Sequence, residues 1–186
     1  DLPDFGSSHF AKVVERIKKD SPKTKVEVLI PDFDGREEFM HVLASSEPFV
    51  IAQNLETVKR LTYPVRDRRA GYEKSLECLN FYKKHYPHLT TKTSLMVGLG
   101  ETWEELLEAI RDIRSVGTDI ITFGQYLRPT KRHLPVERYY TPEEFQELKR
   151  ISYEMGFKFV ASGPLVRSSY KASDYLKFLR DQGIEV

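Results

Sequence analysis

An amide and a carboxylate two residues apart, Asn54 and Glu56, form a pair of side chains suited to ligand binding. If the apolar segment before them is a strand that extends this far, both side chains lie on the same side of it. A pair of this kind can hold the vicinal hydroxyls of a ribose. The alternative is a helix start, with Asn54 as its cap and Glu56 favourably placed in the first turn.

A second candidate is the segment Gly98-Leu99-Gly100-Glu101, which lies between an apolar segment and a capped helix. Glycines let a ligand approach the backbone, and a helix N-terminus presents free N–H groups. The same residue types also form tight strand-to-helix turns. No Gly-Lys-Ser/Thr follows, so the segment is not a P-loop, and the dinucleotide fingerprint would need a third glycine in register.

The elements that must position these residues are short apolar segments with the composition of buried strands. They span residues 25–30, 49–53, 92–98, 119–124 and 157–162. Helices are predicted from about Tyr72 to His85 and from about Ser173 to Gln182, and Thr102-x-x-Glu105 and Thr141-x-x-Glu144 are capping boxes that open two more. The first helix shows an apolar stripe of Phe10, Val13, Val14 and Ile17.

Alternation of strands and helices predicts an α/β fold, with a parallel sheet and helices packed outside it. The spacing suits a TIM-like barrel, and five strands predict only a part of one. Function in such barrels gathers at the C-terminal ends of the strands. Polar residues follow all five predicted strands, which indicates one composite site: Pro31 and Asp32; Asn54 and Glu56; Gly98, Gly100 and Glu101; Gln125, Tyr126 and Arg128; and Ser162, Gly163, Arg167 and Ser168.

Composition narrows the function classes. The 29 Lys and Arg residues nearly cancel the 28 Asp and Glu residues, and a net charge of +1 gives no reason to expect nucleic acid or an anionic membrane as partner. No apolar run is long enough to span a bilayer, and no signal or transit segment is expected. With a single cysteine, a reducing compartment is expected: the cytoplasm, or alternatively a mitochondrial matrix.

The remaining reactive side chains are predicted to be structural or superficial. Cys78, in a helix beside Leu76 and Leu79, is expected to be a packed thiol, and the five histidines form no metal constellation. Two basic segments are solvated surface by default, or alternatively a docking surface for an acidic protein or a carboxylate substrate. They comprise Arg66, Arg68 and Arg69, and Arg128, Lys131, Arg132, His133 and Arg138.

One motif near the end of the chain, Arg167-Ser168-Ser169-Tyr170, closely resembles the C-terminal signature of lipoyl synthases. Other segments resemble that family in the same order, and together they cover nearly the whole chain. These segments are Val26–Phe33, Asn54–Val58, Leu95–Thr102, Gly124–Thr130 and His133–Val136.

This resemblance implies a radical S-adenosylmethionine enzyme on a partial (β/α)6 barrel. In the family, one [4Fe-4S] cluster cleaves S-adenosylmethionine to a radical, and a second, auxiliary [4Fe-4S] cluster donates two sulfur atoms to a protein-bound octanoyl chain. The implied partners are an octanoylated lipoyl carrier protein or lipoyl domain, and an electron donor for the cluster.

Carried over residue by residue, the resemblance places Asn54 and Glu56 against the ribose and Gly98, Gly100 and Glu101 against the adenosyl moiety. Gln125 is grouped with these cofactor-binding residues. Ser168 matches the ligand of the auxiliary cluster, so it is the candidate metal ligand. With its neighbour Arg167 it makes up the predicted catalytic pair.

Both cysteine triplets of the family have no counterpart here, since Cys78 is the only cysteine. Residues 1–186 are therefore expected to be the C-terminal part of such an enzyme, with a C-terminal extension at about 163–186. Alone, these residues should neither hold a [4Fe-4S] cluster stably nor turn over. An unpaired sheet edge would make them poorly soluble or oligomeric.

Smaller departures from the family are Ala52-Gln53-Asn54 in place of Asn-His-Asn and Asp4-Phe5-Gly6 in place of Asp-Gly-Gly. Two other functions remain as alternatives. One is a cluster-free interaction module that docks a lipoyl carrier protein. The other is a different sulfur-inserting radical enzyme, resembling biotin synthase.

Overall fold

The computed structural model describes residues 2–169 and 172–184. Over these residues, five parallel strands form one sheet in the order in which they follow each other along the chain. They are β1 (Glu27–Leu29), β2 (Val50–Ala52), β3 (Thr90–Val97), β4 (Ile120–Gln125) and β5 (Phe159–Gly163). All five predicted strands are confirmed, although β1 and β2 are shorter than the apolar segments that contain them.

Helices connect the strands. They are α1 (Ser7–Asp20), α2 (Glu37–Ala44), α3 (Thr62–Val65), α4 (Tyr72–His85), α5 (Trp103–Ser115), α6 (Pro142–Glu154) and α7 (Ala172–Asp181), with 3₁₀ turns at Phe33–Gly35 and Lys59–Leu61. The predicted bounds of α4 are confirmed, and α7 begins and ends one residue earlier than predicted. The α3 helix and the two 3₁₀ turns had no recognisable signal in the sequence.

Both predicted capping boxes are present. The hydroxyls of Thr102 and Thr141 accept from the backbone N–H groups of Glu105 and Glu144, and each glutamate accepts in return from the N–H of its threonine. After α6, Gly156 adopts a φ of 93°, a left-handed conformation that glycine enters without steric cost. Local side chains therefore fix where α5 and α6 begin and how α6 ends.

The two faces of the sheet carry different cores, because successive residues of a strand point to opposite sides. Ile51 and Ile121 lie on the face covered by α1, α2, α4, α5 and α6. Val50 and Ile120 lie on the other face, where Tyr175 of α7 packs against them. Helices outside a parallel sheet confirm the predicted part of a β/α barrel, and α7 packs on the inner face of that part.

The predicted apolar stripe of α1 is wrong at one position. Val13 is 41% exposed, whereas Ala11 and Val14 are buried. Because α1 packs chiefly against α2, a narrow strip of its surface is covered and Val13 lies outside it. In the described ranges no helix is long and apolar enough to cross a membrane.

Candidate functional site

A cleft lies at the C-terminal ends of the strands and consists of two adjoining hollows of about 580 and 370 Å³. Leu29, Asn54 and Glu56 line both hollows, so they form the wall between them. The larger hollow is completed by Asp32, Gln53 and Arg66 among others, and the smaller by Ser94, Met96, Gly124, Gln125, Arg167 and Ser168 among others. Parallel strands bring these distant residues to one edge of the sheet, as expected.

The segment after β2 follows the strand-like alternative. Instead of starting a helix, Glu56 pairs with β3: its N–H donates to the Ser94 carbonyl (2.9 Å), and its carbonyl accepts from the Met96 N–H (2.8 Å). The helix-start interpretation is therefore wrong. Glu56 has a φ of 68°, an unusual conformation for a residue with a side chain.

The side chains of Asn54 and Glu56 meet in the cleft. Asn54 Nδ2 donates to Glu56 Oε1 at 3.1 Å. Within the described part of the chain, Asn54 Oδ1 is buried and accepts no hydrogen bond. A buried acceptor without a partner costs free energy, so a ligand hydroxyl or amine that donated to it would recover that cost.

Arg66 is a cleft residue that the sequence did not single out from its basic segment. Its Nη1 donates to Ser75 Oγ (2.9 Å) and to the Gly71 carbonyl (3.4 Å). Burial lowers the pKa of its guanidinium below the ordinary value, while the nearby Glu56 and Asp32 carboxylates oppose that shift. In the larger hollow, the Arg66 guanidinium therefore lies near the carboxylates of Glu56 and Asp32.

The turn Gly98–Glu101 lies outside the lining of both hollows, and its polar groups are engaged within the protein. The Glu101 carboxylate accepts from the N–H groups of Gly98 (2.6 Å) and Leu99 (2.9 Å). A Cβ at Gly98 would lie 2.2 Å from Gln125 Nε2 and 2.4 Å from the Arg138 carbonyl oxygen. The close approach that Gly98 allows is thus made by the chain itself, and two amides of the turn, those of Gly98 and Leu99, are already bonded.

Gln125 lies at the rim of the smaller hollow, but its side chain fixes a loop. Nε2 donates to the carbonyls of Tyr126 (3.1 Å) and Arg138 (3.0 Å), and Oε1 accepts from the Tyr140 N–H (2.9 Å). The amide group of Gln125 therefore connects β4 to the far end of the segment that follows it.

The segment after β5 brings Arg167 and Ser168 into the smaller hollow. Arg167 Nη1 donates to the carbonyls of Val166 (2.7 Å) and Gln125 (3.4 Å). Ser168 is half-buried, and Tyr170 lies outside the described residues. The geometry thus joins Asn54, Glu56, Gln125, Arg167 and Ser168 in one cleft and leaves Gly98, Gly100 and Glu101 beside it.

The side chains of the described residues cannot hold an iron–sulfur cluster by themselves. The described residues contain no group of three or more His, Cys, Asp or Glu side chains that could hold a metal ion. Cys78 is packed in the core, as predicted, and burial raises the pKa of its thiol far above the ordinary value. Thiolates are the ligands that such clusters require, so the side chains of residues 2–169 and 172–184 do not by themselves account for a cluster.

An adenosyl cofactor fits better. Ribose hydroxyls are donors, and Asn54, a residue of the cleft lining, has an Oδ1 acceptor without a partner among the described residues, beside the Glu56 carboxylate. The basic segment after β4 lies outside this pair and is exposed from Leu127 to Pro135. Within it, the Arg128 guanidinium donates to the carbonyls of Lys131 (2.5 Å) and His133 (2.9 Å).

The sequence model of the Radical SAM superfamily matches residues 2–113, more than half of the chain. The chain therefore belongs to the radical SAM superfamily. Within it, the chain is similar to proteins named lipoyl synthase. It is 58% identical to the one of Legionella pneumophila (strain Paris) over 177 residues and 56% identical to the one of Thermus thermophilus over 172 residues.

These alignments cover 95% and 92% of this chain but 54% and 53% of the relatives. The chain thus spans about half the length of the curated relatives it matches. Among solved structures, methylornithine synthase (PylB) superposes with a TM-score of 0.58 at 11% identity, covering 95% of this chain and 63% of that one. That likeness supports the fold, which is the partial barrel described above.

Proposed function

We propose that this chain forms part of a lipoyl synthase, which inserts two sulfur atoms into a protein-bound octanoyl chain by radical S-adenosylmethionine chemistry. One observation carries the proposal. In a chain of this superfamily, the Asn54–Glu56 pair and the Arg167-Ser168 segment line the same hollow although they are more than 100 residues apart. The names of the similar proteins favour this function over one resembling biotin synthase.

Asn54 and Glu56 are proposed to hold the ribose of S-adenosylmethionine. Asn54 Oδ1 would accept from one ribose hydroxyl, and the Glu56 carboxylate, held by Asn54 Nδ2, would accept from the other. Gly98, Gly100 and Glu101 would lie behind the adenosyl moiety. They would support its binding indirectly, because they fix the turn that packs against Gln125.

Ser168 remains the candidate ligand of the auxiliary cluster, and this role is part of the proposal. The cofactors, two [4Fe-4S] clusters and S-adenosylmethionine, would supply the radical and the sulfur. Because the described residues offer no cluster thiolates, the contribution proposed for this chain is to bind the adenosyl cofactor and to present Ser168 at the cleft.

The partners proposed for the whole protein are an octanoylated carrier protein or lipoyl domain and an electron donor, in a cytoplasmic setting. The exposed basic segment after β4, with Lys131 and Arg132, lies near the smaller hollow, because Leu127 and Pro129 line that hollow. An acidic carrier docked there would bring its acyl chain to the cleft.

The test uses the protein at the length at which its source cell produces it, reconstituted with iron and sulfide under anaerobic conditions. An octanoylated lipoyl-domain peptide, S-adenosylmethionine and a reductant are added, and the peptide mass is followed. We expect a gain of two sulfur atoms in the dithiol form of the product, and the further loss of two hydrogens only after the product is oxidised to the disulfide. Cleavage of S-adenosylmethionine without sulfur insertion would contradict the proposal, and so would an unchanged peptide with intact cofactor, the result for an interaction module.

Replacing Ser168 with alanine tests its assigned role. The variant should reduce single-turnover formation of the lipoyl product strongly while S-adenosylmethionine still binds. The matched control is Ser169→Ala, because Ser169 is the exposed neighbour in the same motif. Unchanged product yield in Ser168→Ala would remove Ser168 from the site.

A further inference from the structure

The placement of Ser168 depends on a glycine in the neighbouring strand. Gly124 lies near the end of β4 and lines the smaller hollow together with Val166, Arg167 and Ser168. A Cβ built on Gly124 would lie 2.1 Å from the Val166 carbonyl oxygen and 3.3 Å from Arg167 Nη1. No side chain fits at that distance, and the nearest atom belongs to backbone, which cannot swing aside as a flexible side chain can.

The strand's own conformation does not require this glycine. Gly124 is not among the residues with positive φ, so alanine could adopt its backbone geometry. The close approach of the Val166 carbonyl therefore explains why this position is a glycine. That carbonyl sits directly against β4, and Val166 is buried while Leu165 is 71% exposed.

Arg167 also contacts the Val166 carbonyl, through a hydrogen bond. Its Nη1 donates to the Val166 carbonyl at 2.7 Å and to the Gln125 carbonyl at 3.4 Å. The guanidinium thereby ties the segment after β5 to the last residue of β4. Ser168 follows directly, so its position above the cleft is set by where these two carbonyls lie.

We propose that Gly124 and Arg167 are positioning residues that set where Ser168 lies at the cleft. Gly124 leaves the space on β4 that the Val166 carbonyl occupies. Arg167 holds that carbonyl near β4, because it donates to it and to the Gln125 carbonyl. The catalytic consequence rests on the proposed function, whereas the position of the segment is a property of the fold that can be measured without turnover.

The chain offers a matched control in Gly163. It pairs with Gly124 across the β4–β5 ladder at the same register. A Cβ on Gly163 would meet only Val166 Cγ2, at 3.5 Å, which is an ordinary van der Waals contact. Gly124→Ala and Gly163→Ala therefore add the same methyl group to neighbouring strands. Only the methyl group at position 124 would overlap the Val166 carbonyl oxygen.

The experiment is hydrogen exchange measured by mass spectrometry on the protein at its natural length. Gly124→Ala should raise exchange of the amides of residues 165–169 by about 10-fold or more, while the amides of β4 itself stay protected. Gly163→Ala should leave exchange in this segment unchanged. Equal exchange in the two variants, raised or not, would overturn the proposal.

If Gly124→Ala does not fold, Arg167→Met tests the same idea. Methionine keeps an unbranched, flexible side chain but lacks the guanidinium donors, so the variant should raise exchange of the same amides several-fold. Unchanged exchange in that variant would contradict the role of Arg167 in holding the segment after β5. Circular dichroism distinguishes both results from global unfolding.

A second readout separates positioning from general stability. In Gly124→Ala, the yield of lipoyl product in a single turnover should fall by about 10-fold, whereas the dissociation constant for S-adenosylmethionine should not change. A purely structural defect would weaken binding as well. If the unaltered protein forms no lipoyl product, the proposed function fails, while the exchange result still decides whether Gly124 and Arg167 position the segment.

Discussion

Two turns on the same edge of the sheet, each following a strand and each rich in polar groups, differ in how those groups are used. After β3, the Glu101 carboxylate accepts from the amides of Gly98 and Leu99, so the donors of this turn face the protein. After β2, Asn54 Oδ1 is buried and has no partner among the described residues, and it lies beside the Glu56 carboxylate.

The comparison shows that similar signals in the sequence do not define similar sites. The glycine-rich turn carries the residue types of a ligand-binding loop, yet the amides of Gly98 and Leu99 are bonded to the chain's own Glu101. The shorter Asn54–Glu56 segment leaves an acceptor for something else.

The largest expected effect lies in the turn after β3. Gly98→Ala should lower the free energy of unfolding by about 3 kcal/mol or more, because a Cβ would press on Gln125 and on the Arg138 carbonyl and because φ is +100°. Gly100→Ala is the control. It has the same φ, but its nearest contact is Glu137 Cγ at 3.3 Å, on a flexible exposed side chain, so we expect about 1–2 kcal/mol. Equal losses in urea unfolding would contradict the close packing at Gly98.

A smaller effect on the free energy of unfolding is expected for Glu101 and Glu56, the glutamates of the two turns. Glu101→Gln should cost about 2 kcal/mol, since the neutral amide replaces one of two acceptor oxygens by a donor that faces a buried N–H. Glu56→Gln should cost less, about 1 kcal/mol, because among the described residues its carboxylate accepts only from Asn54 Nδ2, although it also favours the charge of the partly buried Arg66. Urea unfolding of both variants measures the difference, and a larger loss for Glu56→Gln would reverse the assignment of structural and binding roles.

The smallest effect on stability is expected at Asn54. Asn54→Ala removes a buried oxygen that has no partner in the described part of the chain, together with one hydrogen bond to Glu56, so the free energy of unfolding should change by less than about 1 kcal/mol. Affinity for S-adenosyl-L-homocysteine should nevertheless fall by about 10-fold, because an acceptor for the ribose is lost. Calorimetry of binding and of thermal unfolding measures the two quantities separately. A large loss of stability with unchanged affinity would make Asn54 a structural residue.

The sequence predicted the features that depend on neighbours along the chain. The five strands, the bounds of α4 and the boxes at Thr102 and Thr141 follow from local periodicity and capping. It also predicted the gathering of Asn54 and Ser168 at one edge, because parallel strands share their C-terminal end.

What the sequence did not predict depends on contacts between distant residues. The helix-start interpretation of Asn54 fails because Glu56 pairs with Ser94 and Met96, some 40 residues away. Arg66 belongs to a basic segment, and nothing local shows that it enters the cleft while its neighbour Arg68 stays exposed. Gly124 has no unusual φ, so its role is visible only once the carbonyl of Val166 is placed against it.

The central claim is that the adenosyl cofactor binds beside Asn54 and Glu56 and does not contact the carboxylate of Glu101. The most direct measurement is the dissociation constant of S-adenosyl-L-homocysteine, by isothermal titration calorimetry, for Glu56→Gln and Glu101→Gln at a temperature where both are folded. We predict that Glu56→Gln weakens binding by about 10-fold and that Glu101→Gln leaves it unchanged. Weaker binding only in Glu101→Gln would contradict this claim and would place the adenosyl cofactor at the glycine-rich turn.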